Sequence, residues 1–244
     1  ILIMYSNILI KSQAMLLIPL PLLLLIGPAI SDIAISLSGL FFVIFYLINF
    51  KSIDLNIKLI SFFVIFLLYL ILSSILAKDI LHSLESSLFY FRFLLLILSI
   101  NLLIIYFENF YKYLFFSFLF VFIILIFDSL IQYLFGYNIF GYKYDGIRLS
   151  SFFNEEKKLG SYLSRLTPVF IGLSVLLYGQ YRSKIILILL LVIFLDIVVV
   201  LSGERSSIFY IFLSTLIITL LIKKWKKYRI FAFILSLIIS FIII

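Results

Sequence analysis

"LISFFVIFLLYLILSSILA" (residues 59–77) runs for nineteen residues without a charge, between Lys58 and Lys78. Wound as a helix at about 1.5 Å per residue, it covers roughly 30 Å, the hydrocarbon thickness of a bilayer. Comparable runs recur at 14–29, 33–50, 87–107, 114–135, 161–179, 185–201, 206–222 and 230–244, and four of these hold a single charge. The chain of 244 residues is 66% hydrophobic and only 12% charged, with a mean hydropathy of +1.34. Soluble domains carry about a quarter charged residues, so this balance belongs to a membrane protein. A membrane barrel would alternate apolar and polar residues at every second position, and no such alternation is present.

The pattern therefore predicts an all-α polytopic transmembrane bundle of about eight complete spans plus a truncated ninth. Residues 1–244 read as one bundle without a soluble domain, with residues 136–160 as its long outer loop. The chain opens on Ile1 rather than Met and stops inside "ILSLIISFIII" (234–244), which reads as a fragment of a longer protein. The first apolar run is followed by many others, so no cleavable signal peptide is expected.

Several chemistries are set aside by composition. With no cysteine, disulfides and thiolate metal sites are excluded, and the single histidine, His82, argues against a histidine metal site. No cofactor is expected. The net charge of +8 does not call for nucleic acid, because the densest basic run, "KKWKKYR" (223–229), lies between two spans. Lysines and arginines in that position are the ordinary mark of a cytoplasmic loop.

Placing 223–229 in the cytoplasm and alternating backwards puts eleven of the nineteen Lys and Arg residues inside and eight outside. All eight lie in three stretches: Lys143 to Arg165, Arg205, and the connector from Lys78 to Arg92. The loop "GIRLSSFFNEEKKLG" (146–160) then faces the periplasm or cell exterior. Asp128, Asp196, Arg165, Arg92 and the Glu204–Arg205 turn all fall toward that side. Charges at membrane depth cost roughly 2.5–3.5 kcal/mol each, so they face partners or a wet cavity, and their segregation predicts one outward-opening polar cavity. Asp128 and Asp196 are read as counter-charges for a cavity arginine in preference to proton carriers.

In the long loop, Arg148 offers a planar fork of donors suited to phosphate or carboxylate. Lys157, Lys158 and Arg165 extend a positive rim, while Glu155 and Glu156 balance it or accept protons. Gly160 permits a tight approach to the next helix, whose free N–H groups favour an anion. The bland alternative is a solvated loop whose charges pair among themselves. In "LSGERSS" (201–207), Ser206 or Ser207 is expected to cap the following helix, leaving Arg205 where the helix dipole disfavours a cation. That placement suits a ligand anion or an acidic neighbour, Glu204 or Asp196. His82 and Glu85 are read as interface residues of their connector.

Taken together, "RLSSFFNEEKKLGSYLSRLTPV" (148–169) resembles the loop-to-helix signature of the O-antigen ligase and O-antigen polymerase superfamily. "LSGERSSIF" (201–209) is similar to that superfamily's second signature, a small-residue turn opening a helix. The two stand in the family's order, one hairpin of spans apart. The acidic pair followed by "KKLGSYLSRL" resembles the oligosaccharide repeat unit polymerases. Ser150 and Ser151 replace the usual glycine after the arginine, and Asn154 stands where a glycine is common. The histidine-bearing outer loop of the ligases would lie beyond residue 244.

The resemblance implies a membrane glycosyltransferase at the outer face of the bacterial inner membrane. Its donor would be an undecaprenyl-diphosphate-linked oligosaccharide, used without a metal, and a chain-length regulator is a possible partner. A polymerase would join repeat units in polysaccharide synthesis, whereas a ligase would transfer the glycan to lipid A-core in lipopolysaccharide biosynthesis. A transporter or flippase would use the same arginines for binding alone. In the transferase reading Arg148 and Arg205 clamp the diphosphate and Arg165 assists. Lys157, Lys158, Gly160 and Arg92 contribute to substrate binding, and Glu155 and Glu204 are the candidate bases.

Overall fold

The structure is a computed structural model that describes residues 2–49 and 57–243, apart from the side chains of residues 2–6, 154 and 155. Lys51 therefore lies outside the described residues. All regular structure among them is helical, with one isolated antiparallel bridge between Tyr137 and Lys143. The helices fall into two compact units.

The first unit, Ile1–Phe110, holds α1 (Leu2–Leu17), α2 (Leu20–Ile26), α3 (Pro28–Ile48), α4 (Ile57–Ile75), α5 (Ile80–Leu88) and α6 (Phe91–Tyr106). The second, Tyr111–Ile244, holds most of α7 (Phe110–Phe135), then α8 (Leu159–Tyr178), α9 (Arg182–Leu201), α10 (Arg205–Leu221) and α11 (Lys226–Ile243). Among the described residues, six helices are long and apolar enough to cross a membrane, with α5 and α6 counted as one. The number rises to eight if two bent pairs count as one span each: α1 with α2 at 46°, and α10 with α11 at 118°. These helices make the chain a multi-pass membrane protein.

The packing is that of a protein dissolved in lipid. In α3 the buried stripe is Ser31, Ala34, Ile35, Ser38, Gly39, Phe42 and Phe45, while Leu40 and Leu47 are exposed. Small residues let helix backbones approach, which matters where lipid tails are as apolar as leucine. A Cβ on Gly39 would stand 2.9 Å from the Leu95 Cβ, and Ser99 Oγ donates to the Ser38 carbonyl at 3.1 Å, fastening α6 to α3. In α4, Ser74 is the one described residue that is buried. An exposed apolar helix of this kind is stable only in hydrocarbon.

The first span departs from expectation. The sequence predicts 14–29, whereas helix begins at Leu2 and breaks after Leu17. Pro19 and Pro21 supply no backbone N–H there, and a bend lies at that break. The connector 78–86 contains most of α5, started by Asp79, whose carboxylate accepts from the His82 N–H at 3.3 Å. In the second unit, Phe170 of α8 stacks on Phe115 of α7 (5.2 Å) and meets Phe122 edge-on (5.4 Å). Helix α8 also packs against α9 and α10, and α9 against α11. These contacts hold the two loop-to-helix signatures at one end of the unit.

Candidate functional site

The long loop is built on α7. A tight hairpin follows the helix: Tyr144 N–H donates to the Gly136 carbonyl (2.8 Å) and Asn138 N–H to the Tyr142 carbonyl (3.0 Å). Gly141, at φ +83°, makes its turn. Two fully buried side chains of α7 then take up donors of the loop. Asp128 accepts from Ile139 N–H (2.9 Å), Asn138 Nδ2 (3.3 Å) and Ser151 Oγ (2.5 Å). Gln132 Oε1 accepts from the N–H groups of Ser150 (3.1 Å) and Ser151 (2.8 Å). Asp128 thus makes no ion pair with an arginine among the described residues. Its buried oxygens are satisfied by loop donors instead.

Arg148 is placed by a residue the sequence reading passed over. Asp145 Oδ1 accepts from the N–H groups of Ile147 (2.9 Å) and Arg148 (2.7 Å), and Oδ2 pairs with Lys157 Nζ. The Lys157 ammonium and these two N–H groups hold the Asp145 carboxyl well below the usual carboxylate range. "YDGIR" (144–148) carries the Asp-Gly signal of such a turn, and that signal was available in the sequence. Two non-glycine residues with left-handed backbone, Ser151 (φ +47°) and Lys157 (φ +45°), bracket the 3-10 turn Ser151–Glu156. Single residues in that region cost about 1–3 kcal/mol and persist where surrounding bonds over-determine them, as Gln132, Asp128 and Asp145 do here.

The two signatures interlock at the start of α8. This helix has no side-chain cap of its own. Glu204, from the turn before α10, supplies one: Oε1 accepts from Gly160 N–H (2.8 Å), and Oε2 from Ser161 N–H (3.0 Å), Ser161 Oγ (2.5 Å) and Ser207 Oγ (2.9 Å). The anion favoured at this helix start is therefore the protein's own carboxylate. Ser207 serves Glu204 and does not cap α10, whose N-cap Glu204 makes no capping bond to its own helix. A Cβ on Gly160 would collide with Ser202 Oγ and crowd Ser207 Oγ at 3.0 Å, so a larger residue here would force these hydroxyls to turn away.

Next to the cap, Gly203 adopts φ +68° and lies under the first signature. A Cβ there would stand 2.9 Å from the Ile147 carbonyl, 3.1 Å from Arg148 Cγ and 3.9 Å from Arg148 Cα. Arg205 is two residues further on. With consecutive Cα atoms 3.8 Å apart, the backbones of Arg148 and Arg205 lie within about 13 Å of each other. Both side chains are exposed, and neither makes an ion pair with a described residue. Two exposed cationic side chains thus start from backbones no more than that distance apart.

The other expected site residues are engaged elsewhere. Lys157 is held by Asp145, and Lys158 pairs with Glu156 at 2.9 Å, both of the latter exposed. Arg165 is exposed and lies over the Tyr210 ring, 5.4 Å from its centre. Arg92 belongs to the first unit, where it pairs with Asp32 at 3.1 Å. Asp196 is not a partner of Arg205. It forms a buried pair with Arg229 of α11, at 2.5 Å and 3.3 Å to the two carboxylate oxygens. The Glu155 side chain lies outside the described residues. Comparison with protein families, curated proteins and solved structures returns no match.

Proposed function

We propose that the protein is a membrane glycosyltransferase of the O-antigen polymerase type, acting on an undecaprenyl-diphosphate-linked glycan at the outer face of the inner membrane. In this reading α10 and α11 are separate spans joined by a cytoplasmic basic turn, and both signatures face the periplasm. The observation that carries it is the interlock of 146–161 with 202–207: Glu204 caps α8, and Arg148 lies over Gly203. That contact sets two exposed arginines at one end of the unit, close enough to converge on a single anion.

The chemistry follows from their charge. An acceptor hydroxyl attacks the anomeric carbon, the bond to phosphate breaks, and the electron pair leaves with the lipid diphosphate. Arg148 and Arg205 stabilise the charge that builds there, and fixed donors of this kind contribute about 2.7–4 kcal/mol each. Of the two candidate bases, Glu204 already accepts four hydrogen bonds, three of them at Oε2, and taking up a proton would loosen the cap it makes on α8. We assign it to positioning and leave proton removal to Glu155.

The test uses purified full chain in liposomes supplied with an undecaprenyl-diphosphate-linked oligosaccharide. Wild type lengthens the glycan and releases lipid diphosphate in equal amount. Arg148→Ala and Arg205→Ala each slow release by roughly 10²–10³, and lysine restores little because it lacks the bidentate fork. Wild-type rates with both arginines removed, or passage of the donor without diphosphate release, overturn the assignment.

A further inference from the structure

The loop after α7 does not rise away from the helix but folds back along it. Its backbone at Ile139 is bound to Asp128, seven residues before the helix end at Phe135, which corresponds to about 10 Å along the axis. The 26 residues of α7 span roughly 39 Å against a hydrocarbon thickness of about 30 Å. Even if the whole surplus of about 9 Å projected on the loop side, Asp128 would still lie at the hydrocarbon edge. Lys112, in the first turn, keeps the opposite end of α7 among headgroups and moves Asp128 deeper.

At that level irregular backbone must have its polar groups satisfied by protein. Asp128, Gln132 and Asn138, all buried, do this for residues 138–142 and 150–151. The tip of the hairpin is nevertheless bare: Ile139 is 62% and Phe140 64% exposed. On α7, Phe127 beside Asp128 and Leu134 and Phe135 in the last turn are exposed and apolar as well. At the open end of the hairpin stand Tyr137 and Lys143, both exposed, the residue types that favour headgroups.

We propose that the hairpin 136–144 is seated in the bilayer, with Ile139 and Phe140 among the acyl chains just below the headgroups and Tyr137 and Lys143 at the headgroup level. The polar network around Asp128 exists to let irregular backbone reach that depth, and the apolar tip is covered by lipid. This seat does not depend on any transferase activity.

The chain has no cysteine, so single nitroxide labels can be placed cleanly. Ile139→Cys and Phe140→Cys are labelled in nanodiscs of phosphatidylcholine and phosphatidylglycerol, with Phe127→Cys on the lipid-facing side of α7 and Lys158→Cys in the loop as references. Collision with oxygen, which partitions into lipid, is compared with collision with a water-soluble nickel chelate. Positions 139 and 140 are expected to rank with 127, oxygen exceeding nickel, and position 158 to show the reverse. Labels at 139 and 140 that rank with 158 overturn the proposal. Phe140→Cys removes an edge contact with Phe152 (4.9 Å), so Ile139→Cys decides alone if the Phe140 variant does not fold.

Discussion

Glu204 shows what one side chain contributes here. It is a half-buried carboxylate whose four donors belong to the start of α8, to Ser161 and to Ser207. Replacing it by alanine leaves those donors without an acceptor, at a cost of about 1–3 kcal/mol, and frees the two signatures from each other. Glutamine with its oxygen at the Oε2 position keeps the three bonds from Ser161 and Ser207 and gives up only the one from Gly160 N–H, which then faces the amide nitrogen. The expected outcome is that Glu204→Ala lowers the thermal midpoint and abolishes transfer, while Glu204→Gln retains most of both. A glutamine variant that folds normally yet transfers nothing would make Glu204 the base. The sequence made residues 204 and 205 visible as charges at a span boundary. It did not show which way Glu204 points, because its partners lie 43 and 44 positions away and leave no local pattern. Asp145 differs, since its partners Ile147 and Arg148 are local and the Asp-Gly step announces the turn.

Among the elements, α9 and α11 are joined by a buried ion pair. Asp196 and Arg229 are each 1% exposed and joined at two carboxylate oxygens. Removing one partner of such a pair strands a buried charge and costs about 3–5 kcal/mol, whereas replacing both by apolar groups of similar volume is often neutral. Arg229→Met is accordingly expected to lower the unfolding midpoint in detergent sharply, and the double variant Asp196→Leu/Arg229→Met to recover most of the loss. Failure of the double variant to recover would mean that the charges fix the packing of α9 on α11 in a way leucine and methionine cannot replace. The helices themselves were largely legible, because runs of Leu, Ile and Phe between short polar connectors leave little choice of element. The exceptions have local causes. Pro19 and Pro21 lie where the sequence places the interior of a span, and the helical register runs back to Leu2 through Lys11. Arg229 reads as a fifth basic residue beside four lysines until its burial against Asp196 is seen.

For the whole molecule, orientation decides which compartment each signature meets. Burial of Arg229 leaves Lys223, Lys224, Lys226 and Lys227 exposed at the bend between α10 and α11. Four lysines concentrated in so short a turn favour the cytoplasmic side, where anionic lipids add roughly 1 kcal/mol of attraction for each. Two helices, α8 and α9, separate the long loop from the α9–α10 turn, so both signatures share a side whenever each of these helices spans once. With α10 as a further span, that side is opposite the lysines. Single cysteines at Lys143 and Lys224, both exposed, test this without disturbing a buried contact. A membrane-impermeant maleimide is expected to label Lys143→Cys in intact cells and Lys224→Cys only after permeabilisation. Trp225, which carries the same topological information, is unsuitable because it is 2% exposed and its replacement would open the bundle. Labelling of Lys224→Cys from outside would turn both arginines toward the cytoplasm, where an extracytoplasmic glycan on its lipid diphosphate would be out of their reach.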